Sequence, residues 1–522
     1  MKSKQLQYSI LLLFFFLAGL LAEEKEKIWR SLSGPFYRPG YWWTIKWDME
    51  KNFPGSYQKV EASCGKWKVI HSGKETSTAT LLGYYPLRSS MILLNIELFS
   101  EQDKKALARE YLTLIALKPE DILLGFYKSE AVERHFQEYK EALSIPIYMQ
   151  KIDFIPGVWE GMNSFHFLAL GESDIGETQT QALCHWVNAG GILWTTQEKF
   201  QESPYLSKLL HTAHKQAYQD IEIWEIGWGL VLLVPAKHEA ASSQTIYKEI
   251  IPFLLSKFSP KKDYAPKNPP ILFLPAQWGN AILYILWAIC SVNLFLFWLL
   301  KKKSSKTYKA ILSTLFSLIG IVYLFWYFLP VSYQEFSITQ VLSGKNIAIE
   351  HSYIQTQKLG RTLPEIFFAT LPLPVGTEEN SIEIKPYKQG WQIFSFSPKD
   401  AILWYSRKVF SFPGFFQAEK KQEDILFLNQ TSMELEDMLY LGKDTYHPLN
   451  AERHIQTLSE PISFWNTSQL PSSWKQNNLL PWLSRIFSTP FIASYSKNFH
   501  TTNPNFAFYH KTKLVCIFLH SK

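Results

Sequence analysis

Two long apolar segments lie close together in the middle of the chain and constrain its fold more than any other feature. Asn280–Leu300 and Ala310–Pro330 are each 21 residues long and contain no charged residue. About 20 apolar residues in a helix span the hydrocarbon core of a bilayer, and a soluble core helix is rarely apolar on every face for so long. The two segments therefore predict a pair of transmembrane helices.

A lysine-rich loop joins the two segments. Residues 301–309 read KKKSSKTYK and contain five lysines, so the positive-inside rule places this loop in the cytoplasm and both flanking regions outside it. The N-terminus agrees, because Lys2 and Lys4 precede the apolar run Ile10–Ala22 in the layout of a secretory signal. We predict a signal peptide at 1–22, and an uncleaved anchor is the alternative.

The charge of the chain is concentrated at these topology signals. The five loop lysines with Lys2 and Lys4 equal the whole formal net charge of +7, so the remaining residues are balanced. A neutral exported region has no basic surface for phosphates, which excludes nucleic acid as a partner. The predicted spans make the lipid bilayer an expected partner, and a protein partner in the envelope is a further one. An apolar content of 47% excludes a disordered chain, and four cysteines in 522 residues exclude a disulfide-dense scaffold.

The regions outside the membrane differ in their periodicity. Tyr41–Trp47 and Met91–Phe99 are strand-like runs between Pro- and Gly-containing turns, which favours a β-sandwich. We also predict helical stretches at Glu101–Ile115, Met433–Leu441 and Leu480–Ile486. The chain is predicted to be a multidomain membrane protein with the following organisation: signal peptide 1–22, N-terminal β-sandwich 29–117, Rossmann-like α/β domain 118–258, linker 259–279, transmembrane helix 280–300, cytoplasmic loop 301–309, transmembrane helix 310–330, and a mostly β extracytoplasmic domain 331–522.

Strand and helix signals alternate between residues 118 and 258. This alternation with short loops predicts a parallel sheet with helices on both faces. Gly190 and Gly191 are expected to end the second helix, since glycine accepts the left-handed conformation at a helix C-terminus. The predicted strands are Ile122–Tyr127, Phe165–Leu170, Ile192–Thr196 and Gly229–Pro235, and the predicted helices are Glu130–Leu143 and Glu177–Ala189.

Three stretches of this region carry a family resemblance. They are IPGVWEG at 155–161, FHFLAL at 165–170 and QTQALCHWVNAGG at 179–191. Together they resemble the class I glutamine amidotransferase-like domains of uncharacterised bacterial membrane proteins. The resemblance implies the α/β fold and an arrangement of export signal, β-sandwich, α/β domain and membrane helices, and it implies little about activity.

The residues expected of a catalytic member are missing from this pattern. Such a member places a cysteine on a sharp strand-to-helix turn, where the thiolate is exposed and backbone amides face the oxyanion. Here Cys184 lies inside a predicted helix, and Ser173 lacks the Gly-x-Ser-x-Gly frame. We therefore predict a non-enzymatic domain with no catalytic residue.

Three polar residues follow the predicted strand 165–170. Glu172, Ser173 and Asp174 would lie at the carboxyl end of a parallel strand, where open α/β sheets bind ligands. They are the candidate ligand-binding residues. The alternative, which we favour, is that Ser173 or Asp174 caps the following helix.

Histidine and cysteine neighbours give no metal signal, so we predict neither a metal nor another cofactor. Adjacent helix positions point about 100° apart, so Cys184 and His185 are interpreted as a core thiol beside a surface imidazole. His211 and His214 share one face of a predicted helix but lack the further ligands that zinc needs.

Tryptophans near the N-terminus allow two interpretations. Exposed Trp42, Trp43 and Trp47 could stack on sugars or lie near a bilayer surface. Alternation along a strand would instead bury Trp43 and Trp47 on one face with Ile45, and we favour this core packing.

These observations favour a non-enzymatic protein of the bacterial cytoplasmic membrane. Its extracytoplasmic domains would bind a protein partner in the envelope or an envelope component. One alternative is an envelope hydrolase or amidotransferase with a site near Glu172–Asp174. A second is an accessory subunit of a transporter. Neither predicted span carries an ionisable residue of the kind that lines a substrate pathway, which argues against a channel or pump and leaves an accessory role open.

Overall fold

The structure is a computed structural model that describes part of the chain. The predicted segments 1–22, 259–279 and 301–309 lie outside the described residues, and so do the spans 280–300 and 310–330 apart from Ser291, Leu312 and Gly320. The described ranges are 29–39, 41–48, 57–64, 67–72, 78–84, 91–100, 106–140, 146–171, 175–209, 214–218, 221–235, 244–258, 332–357, 365–368, 370, 373–375, 381–387, 390–395, 401–464, 466, 468–471, 474–475, 479–487, 490–496 and 508–519.

The described chain is a multidomain α/β protein with several mixed sheets, one of which is largely parallel. Within this part of the chain, no helix combines the length and the apolar character needed to cross a bilayer.

The described residues between 29 and 116 form eight strands. In the seventh, Leu94 is fully buried while Leu93 beside it is 58% exposed, which is the period of two that a one-sided sheet requires. The strands are β1 (Trp29–Ser31), β2 (Phe36–Tyr37), β3 (Trp42–Asp48), β4 (Tyr57–Cys64), β5 (Trp67–Ser72), β6 (Thr78–Tyr84), β7 (Met91–Ser100) and β8 (Ala106–Ala116).

The predicted helix at Glu101–Ile115 is wrong, because this stretch contributes strand β8, which pairs antiparallel with β7. Leu112 and Leu114 pack towards the core, whereas Tyr111 and Ile115 are exposed. The stretch therefore has the alternation of a strand, and its β-branched and aromatic residues suit a half-buried sheet better than a helix.

The α/β region follows the predicted alternation closely. The predicted strands Ile122–Tyr127 and Ile192–Thr196 and the predicted helix starts at Glu130 and Glu177 are confirmed. Three strands were not predicted. The elements are β9 (Ile122–Tyr127), α1 (Glu130–Lys140), β10 (Ile147–Ile152), a 3₁₀ helix (Trp159–Met162), β11 (Phe167–Leu170), α2 (Glu177–Asn188), β12 (Ile192–Thr196), α3 (Gln197–Glu202), α4 (Pro204–Leu209), β13 (His214–Tyr218), β14 (Ile221–Ile226), β15 (Gly229–Val234) and α5 (Gln244–Lys257).

These strands form one sheet in the order β10-β9-β11-β12-β15-β14-β13, in which the first five are parallel and the last two complete an antiparallel edge. Phe136 of α1 and Ile250 of α5 belong to the core on one face. Trp186 of α2 and Met162 of the 3₁₀ helix belong to the core on the other. The domain is a three-layer α/β/α arrangement, as expected from the sequence.

Residues 332–518 are mostly β. The predicted helix at Met433–Leu441 is wrong, since Leu435–Leu441 is a strand paired with Phe491–Ser496, whereas the predicted helix near the C-terminus is confirmed. The elements are β16 (Ser332–Leu342), β17 (Ile347–Gln357), β18 (Glu365–Phe368), β19 (Leu373–Val375), β20 (Ser381–Tyr387), β21 (Gly390–Ser395), β22 (Ala401–Ser411), β23 (Phe416–Lys421), β24 (Asp424–Asn429), β25 (Leu435–Leu441), β26 (Thr445–Pro448), β27 (Ile455–Thr457), β28 (Ile462–Ser463), α6 (Leu479–Ile486), β29 (Phe491–Ser496) and β30 (Phe508–Phe518).

The two ends of the chain share a sheet and a core. Strand β20 pairs parallel with β5, so one eight-stranded sheet runs in the order β18-β21-β20-β5-β4-β7-β8-β2. A nine-stranded sheet has the order β19-β22-β17-β16-β30-β29-β25-β26-β28. One hydrophobic cluster contains Trp43 and Leu94 from the N-terminal strands together with Tyr353 and Leu514 from the C-terminal ones. The sequence boundary between 29–117 and 331–522 is therefore not a boundary in the packing.

Two arginines, Arg38, which is buried, and Arg407, which is half-buried, connect the α/β domain to these sheets. The guanidinium of Arg38 is 2.8 Å from the carbonyl oxygen of Lys118 and 2.9 Å from that of Asp121. Burial lowers the pKa of Arg38, and the nearby Tyr41, Asp121 and Glu120 offset part of that effect. Arg407 donates to the carbonyl oxygen of Ala189 at 2.7 Å and lies 5.6 Å from the ring centroid of Trp159.

Substitution of two adjacent leucines on β7 tests the shared core. Leu94→Ala removes a fully buried side chain and should lower the free energy of unfolding by about 2–5 kcal/mol. Leu93→Ala is the matched control, and as a change at a 58% exposed position it should stay within about 0.5 kcal/mol. Urea unfolding followed by tryptophan fluorescence measures both. Equal losses in the two variants would contradict the assigned faces of β7.

Candidate functional site

The order of the parallel strands reverses at one place in the α/β sheet. The chain passes from β9 to its neighbour β10 on one side, then returns to β11 and β12 on the other. Helices that follow two such strands lie on opposite faces, which leaves a crevice at the carboxyl ends of the central pair. In this domain the rule places such a crevice where β9 and β11 end.

The candidate residues from the sequence follow one of these two strands. Glu172, Ser173 and Asp174 lie outside the described residues, between Gly171, which follows β11, and Ile175. Their place in the chain is therefore at the reversal point, and their role in binding stays a prediction.

Capping of α2 differs from the expectation. The N-cap position is occupied by Gly176, which has extended backbone angles and no side chain that could accept a hydrogen bond. The prediction that Ser173 or Asp174 is the N-cap residue is therefore wrong. The end of this helix does follow the prediction, since Gly190, with φ of 111°, comes directly after the C-cap residue.

The second half of the crevice was missed by the sequence analysis. Strand β9 ends at Tyr127, and Lys128 adopts a left-handed conformation with φ of 50° before α1 begins at Glu130. The carbonyl oxygen of Ser129 accepts the hydrogen bond from the Glu133 amide at 3.1 Å, so Ser129 is the N-cap residue. A serine directly before a predicted helix was the available signal for this position.

Gly171 brings the two strand ends into close contact. Its amide donates to the carbonyl oxygen of Tyr127 at 2.8 Å. A Cβ placed on Gly171 would lie 1.7 Å from the carbonyl oxygen of Lys128 and 3.2 Å from the Cα of Ser129. Only glycine fits this approach, and it places Ser129 against the end of β11.

The hydroxyl of Ser129 is buried without a partner among the described residues. Ser129 is 7% exposed, and its Oγ makes no hydrogen bond there. Thr195, near the end of strand β12 beside β11, is fully buried. Its Oγ1 also makes no hydrogen bond to a described residue. A buried hydroxyl without a partner costs about 1–3 kcal/mol, and the first amides of a helix also have no acceptor within the helix. Two buried hydroxyl groups near this edge therefore have no hydrogen-bond partner among the described residues.

The charges at this edge are mixed. Lys128 is exposed, and its ammonium group lies 5.5 Å from the ring centroid of Tyr127. The first turn of α1 carries Glu130 and Glu133, and Glu133 is 3.4 Å from the ammonium of Lys151. Acidic and basic groups therefore lie close together at this edge, so neither sign of charge dominates there.

Cys184 lies on α2 in surroundings that disfavour a thiolate. The side chain is buried, and its Sγ donates weakly to the carbonyl oxygen of Tyr205 at 3.7 Å. Burial raises the pKa of Cys184 to about 12, while desolvation lowers the pKa of His185. His185 itself is exposed, so the interpretation as a core thiol beside a surface imidazole is confirmed.

The other candidate residues do not form a second site. His211 lies outside the described residues, and His214 begins strand β13, so the prediction of a shared helix face is wrong. Across the described ranges, no group of three or more histidine, cysteine, aspartate or glutamate side chains is placed to hold a metal ion.

The N-terminal tryptophans are core residues where the structure describes their side chains. Trp42, Trp43 and Ile45 are 2%, 1% and 0% exposed, which confirms core packing for Trp43 with Ile45 and extends it to Trp42 on the opposite face of β3. The side chain of Trp47 lies outside the described residues.

Comparison with known proteins gives no family assignment. No family model and no curated protein matches the chain. Among solved structures, an exo-β-1,4-mannosidase from Opitutaceae bacterium strain TAV5 matches with a TM-score of 0.18 and 11% identity over 26% of this chain and 34% of that one. A ThuA-like protein from Bacteroides uniformis matches with a TM-score of 0.15 and 14% identity over 19% of this chain and 46% of that one. These are distant structural similarities that span less than half of either relative.

Substitution of Gly171 tests the close approach of the two strand ends. Gly171→Ala should lower the free energy of unfolding by about 1–3 kcal/mol, because the new methyl group meets backbone that must shift. Gly442→Ala is the control, since its nearest neighbour is the Thr445 Oγ1 at 3.1 Å and that side chain can rotate away. Urea midpoints measure both, and an unchanged midpoint for Gly171→Ala would contradict the geometry.

The thiol of Cys184 should resist modification in the folded protein. A pKa of about 12 keeps it protonated, and its thiolate fraction rises about tenfold with each pH unit up to that value. Wild type and Cys184→Ala should therefore show the same number of reactive thiols at pH 7–9 when folded, and differ by one after denaturation. Fast labelling of Cys184 in the folded protein would show that the thiolate is accessible.

Proposed function

We propose that this protein is a non-enzymatic, membrane-anchored protein of the bacterial cell envelope whose α/β domain binds an envelope component or a protein partner. The binding edge is the crevice at the carboxyl ends of β9 and β11. The observation that carries the proposal is the buried hydroxyl of Ser129, which has no hydrogen-bond partner among the described residues and lies where the strand order reverses.

The attachment of the α/β domain supports this choice of edge. The hydrogen bonds from Arg38 to Lys118 and Asp121 lie before β9, and the one from Arg407 to Ala189 lies before β12. All of them are at the amino edge of the parallel strands, opposite to the carboxyl edge. A ligand can therefore approach β9 and β11 without breaking these contacts.

Binding is favoured over catalysis by the chemistry of the described groups. The Cys184 thiol is held protonated by burial, and the Ser129 hydroxyl has no hydrogen-bonded base among the described residues. Nucleophilic catalysis needs an activated nucleophile in contact with such a base. A hydroxyl that only donates and accepts hydrogen bonds suits recognition of a hydroxyl- or amide-rich ligand.

Membrane anchoring in the proposal comes from the apolar segments. The uncharged runs 280–300 and 310–330, with the lysine-rich loop between them, support two spans with both flanks outside the cytoplasm. The protein would then present the α/β domain to the envelope from the cytoplasmic membrane.

Site-specific photo-crosslinking tests the binding edge. A photoreactive amino acid at Lys128, which is exposed at the carboxyl end of β9, should give a discrete adduct in intact envelopes. The matched control carries the same residue at Glu120, which is exposed just before the amino end of β9 and should give none. The same adduct at both positions, or none at Lys128, would count against the proposal.

A second substitution separates binding from folding. Adding Ser129→Ala should reduce the Lys128 adduct several-fold while leaving the urea midpoint unchanged or higher, because the change removes a buried hydroxyl that has no partner among the described residues. A lower midpoint would show that the hydroxyl supports the fold instead.

A further inference from the structure

The chain between the second apolar segment and the nine-stranded sheet is very short. The segment 310–330 is followed by Val331 alone before β16 begins at Ser332. An extended chain covers at most about 3.6 Å per residue, so the start of β16 lies within about 10 Å of the end of the span. The connection on the other side, 259–279, has 21 residues and can cover about 70 Å. The short connection therefore decides which part of the protein is next to the bilayer.

Strand register shows which residues share that end of the sheet. Ser332 pairs with Gln357 on one side and Phe508 on the other, and Gln357 pairs with Ala401. We call these four positions the proximal end. It is made by four neighbouring strands, β30, β16, β17 and β22, so it is a continuous edge of the sheet.

Aromatic residues are concentrated where the span meets this end. Tyr333 pairs with Tyr509, next to Phe508 in the register, and Trp326 and Tyr327 lie near the end of the apolar segment. Tryptophan and tyrosine are enriched at membrane–water interfaces, since their rings are apolar and carry a polar group. The residue types at the proximal end therefore suit the lipid headgroup region.

The contacts of the sheet with the α/β domain begin near the middle of its strands, at Arg407 of β22, and continue towards its other end. Phe518, which pairs with Leu342 at the end of β16, has its ring centroid 5.4 Å from that of Trp228. Lys345, just beyond β16, has its ammonium nitrogen 3.5 Å from the carbonyl oxygen of Glu225. Strand β16 is 11 residues long, so at about 3.3 Å per residue these contacts are up to about 35 Å from the proximal end.

We propose that the nine-stranded sheet stands on the lipid surface with its proximal end among the headgroups and holds the α/β domain up to about 35 Å away from the bilayer. This inference rests on the membrane anchoring in the proposed function. The 21-residue linker is long enough to return from α5 to the first span over that distance. The ligand at the β9–β11 edge is then a component that extends away from the membrane, and not a lipid headgroup.

Two positions on one strand test this orientation. Ala401→Cys places a thiol at the proximal end of β22, and Ser411→Cys places one at the exposed far end of the same strand. Each full-length variant is labelled with a fluorophore and reconstituted in phosphatidylcholine nanodiscs with and without nitroxide-headgroup lipid. The parent chain, with Cys64, Cys184, Cys290 and Cys516, gives the background labelling.

We expect the fluorophore at 401 to lose more than half of its emission to the nitroxide lipid and the one at 411 to lose none. Equal quenching at the two positions, quenching at 411 alone, or no quenching at either while the protein stays embedded overturns the inference. Extraction of the protein by alkaline carbonate measures embedding separately. Release from the membrane by that treatment refutes the anchoring in the proposed function, and with it the orientation.

Discussion

Burial of apolar side chains from the two ends of the chain against each other is the interaction on which the rest of the structure depends. Trp43 and Leu94 pack in the same cluster as Tyr353 and Leu514, although more than 200 residues separate the two groups. Strand β20 pairs with β5, so backbone hydrogen bonds also join the two ends of the chain. Since hydrophobic burial is the main favourable term in folding, neither end is expected to be stable without the other.

This arrangement also positions the α/β domain. In the sequence, this domain lies between the N-terminal and the C-terminal β regions. Arg38 reaches it from the N-terminal strands, and Arg407 reaches it from the C-terminal sheet. Both arginines bind backbone carbonyl groups at the amino edge of the parallel strands. The carboxyl edge, where Ser129 meets Gly171, lies opposite, and it is the edge at which we propose recognition.

Part of the candidate site could be predicted from the sequence and part could not. Glu172, Ser173 and Asp174 could be put forward because they follow a recognisable buried strand, and their role stays a prediction. Ser129 was missed, because its importance depends on β9 and β11 being neighbours, and strand order is not a local property. Strand β8 was predicted to be a helix. It is a strand, in which Leu112 and Leu114 pack towards the core and alternate with exposed residues.

By itself, the sequence determined the local elements of the α/β domain and the lengths of the two apolar segments. The bounds of Ile122–Tyr127 and Ile192–Thr196 and the end of α2 before Gly190 follow from periodicity and glycine conformation, which neighbouring residues encode. Only the tertiary structure decided that the chain ends share one core and that Ser129 lies against Gly171. The physical reason is that the sequence of a strand or helix shows which of its faces is apolar and must be buried. It does not show which other face packs against it, because that depends on how the whole chain packs.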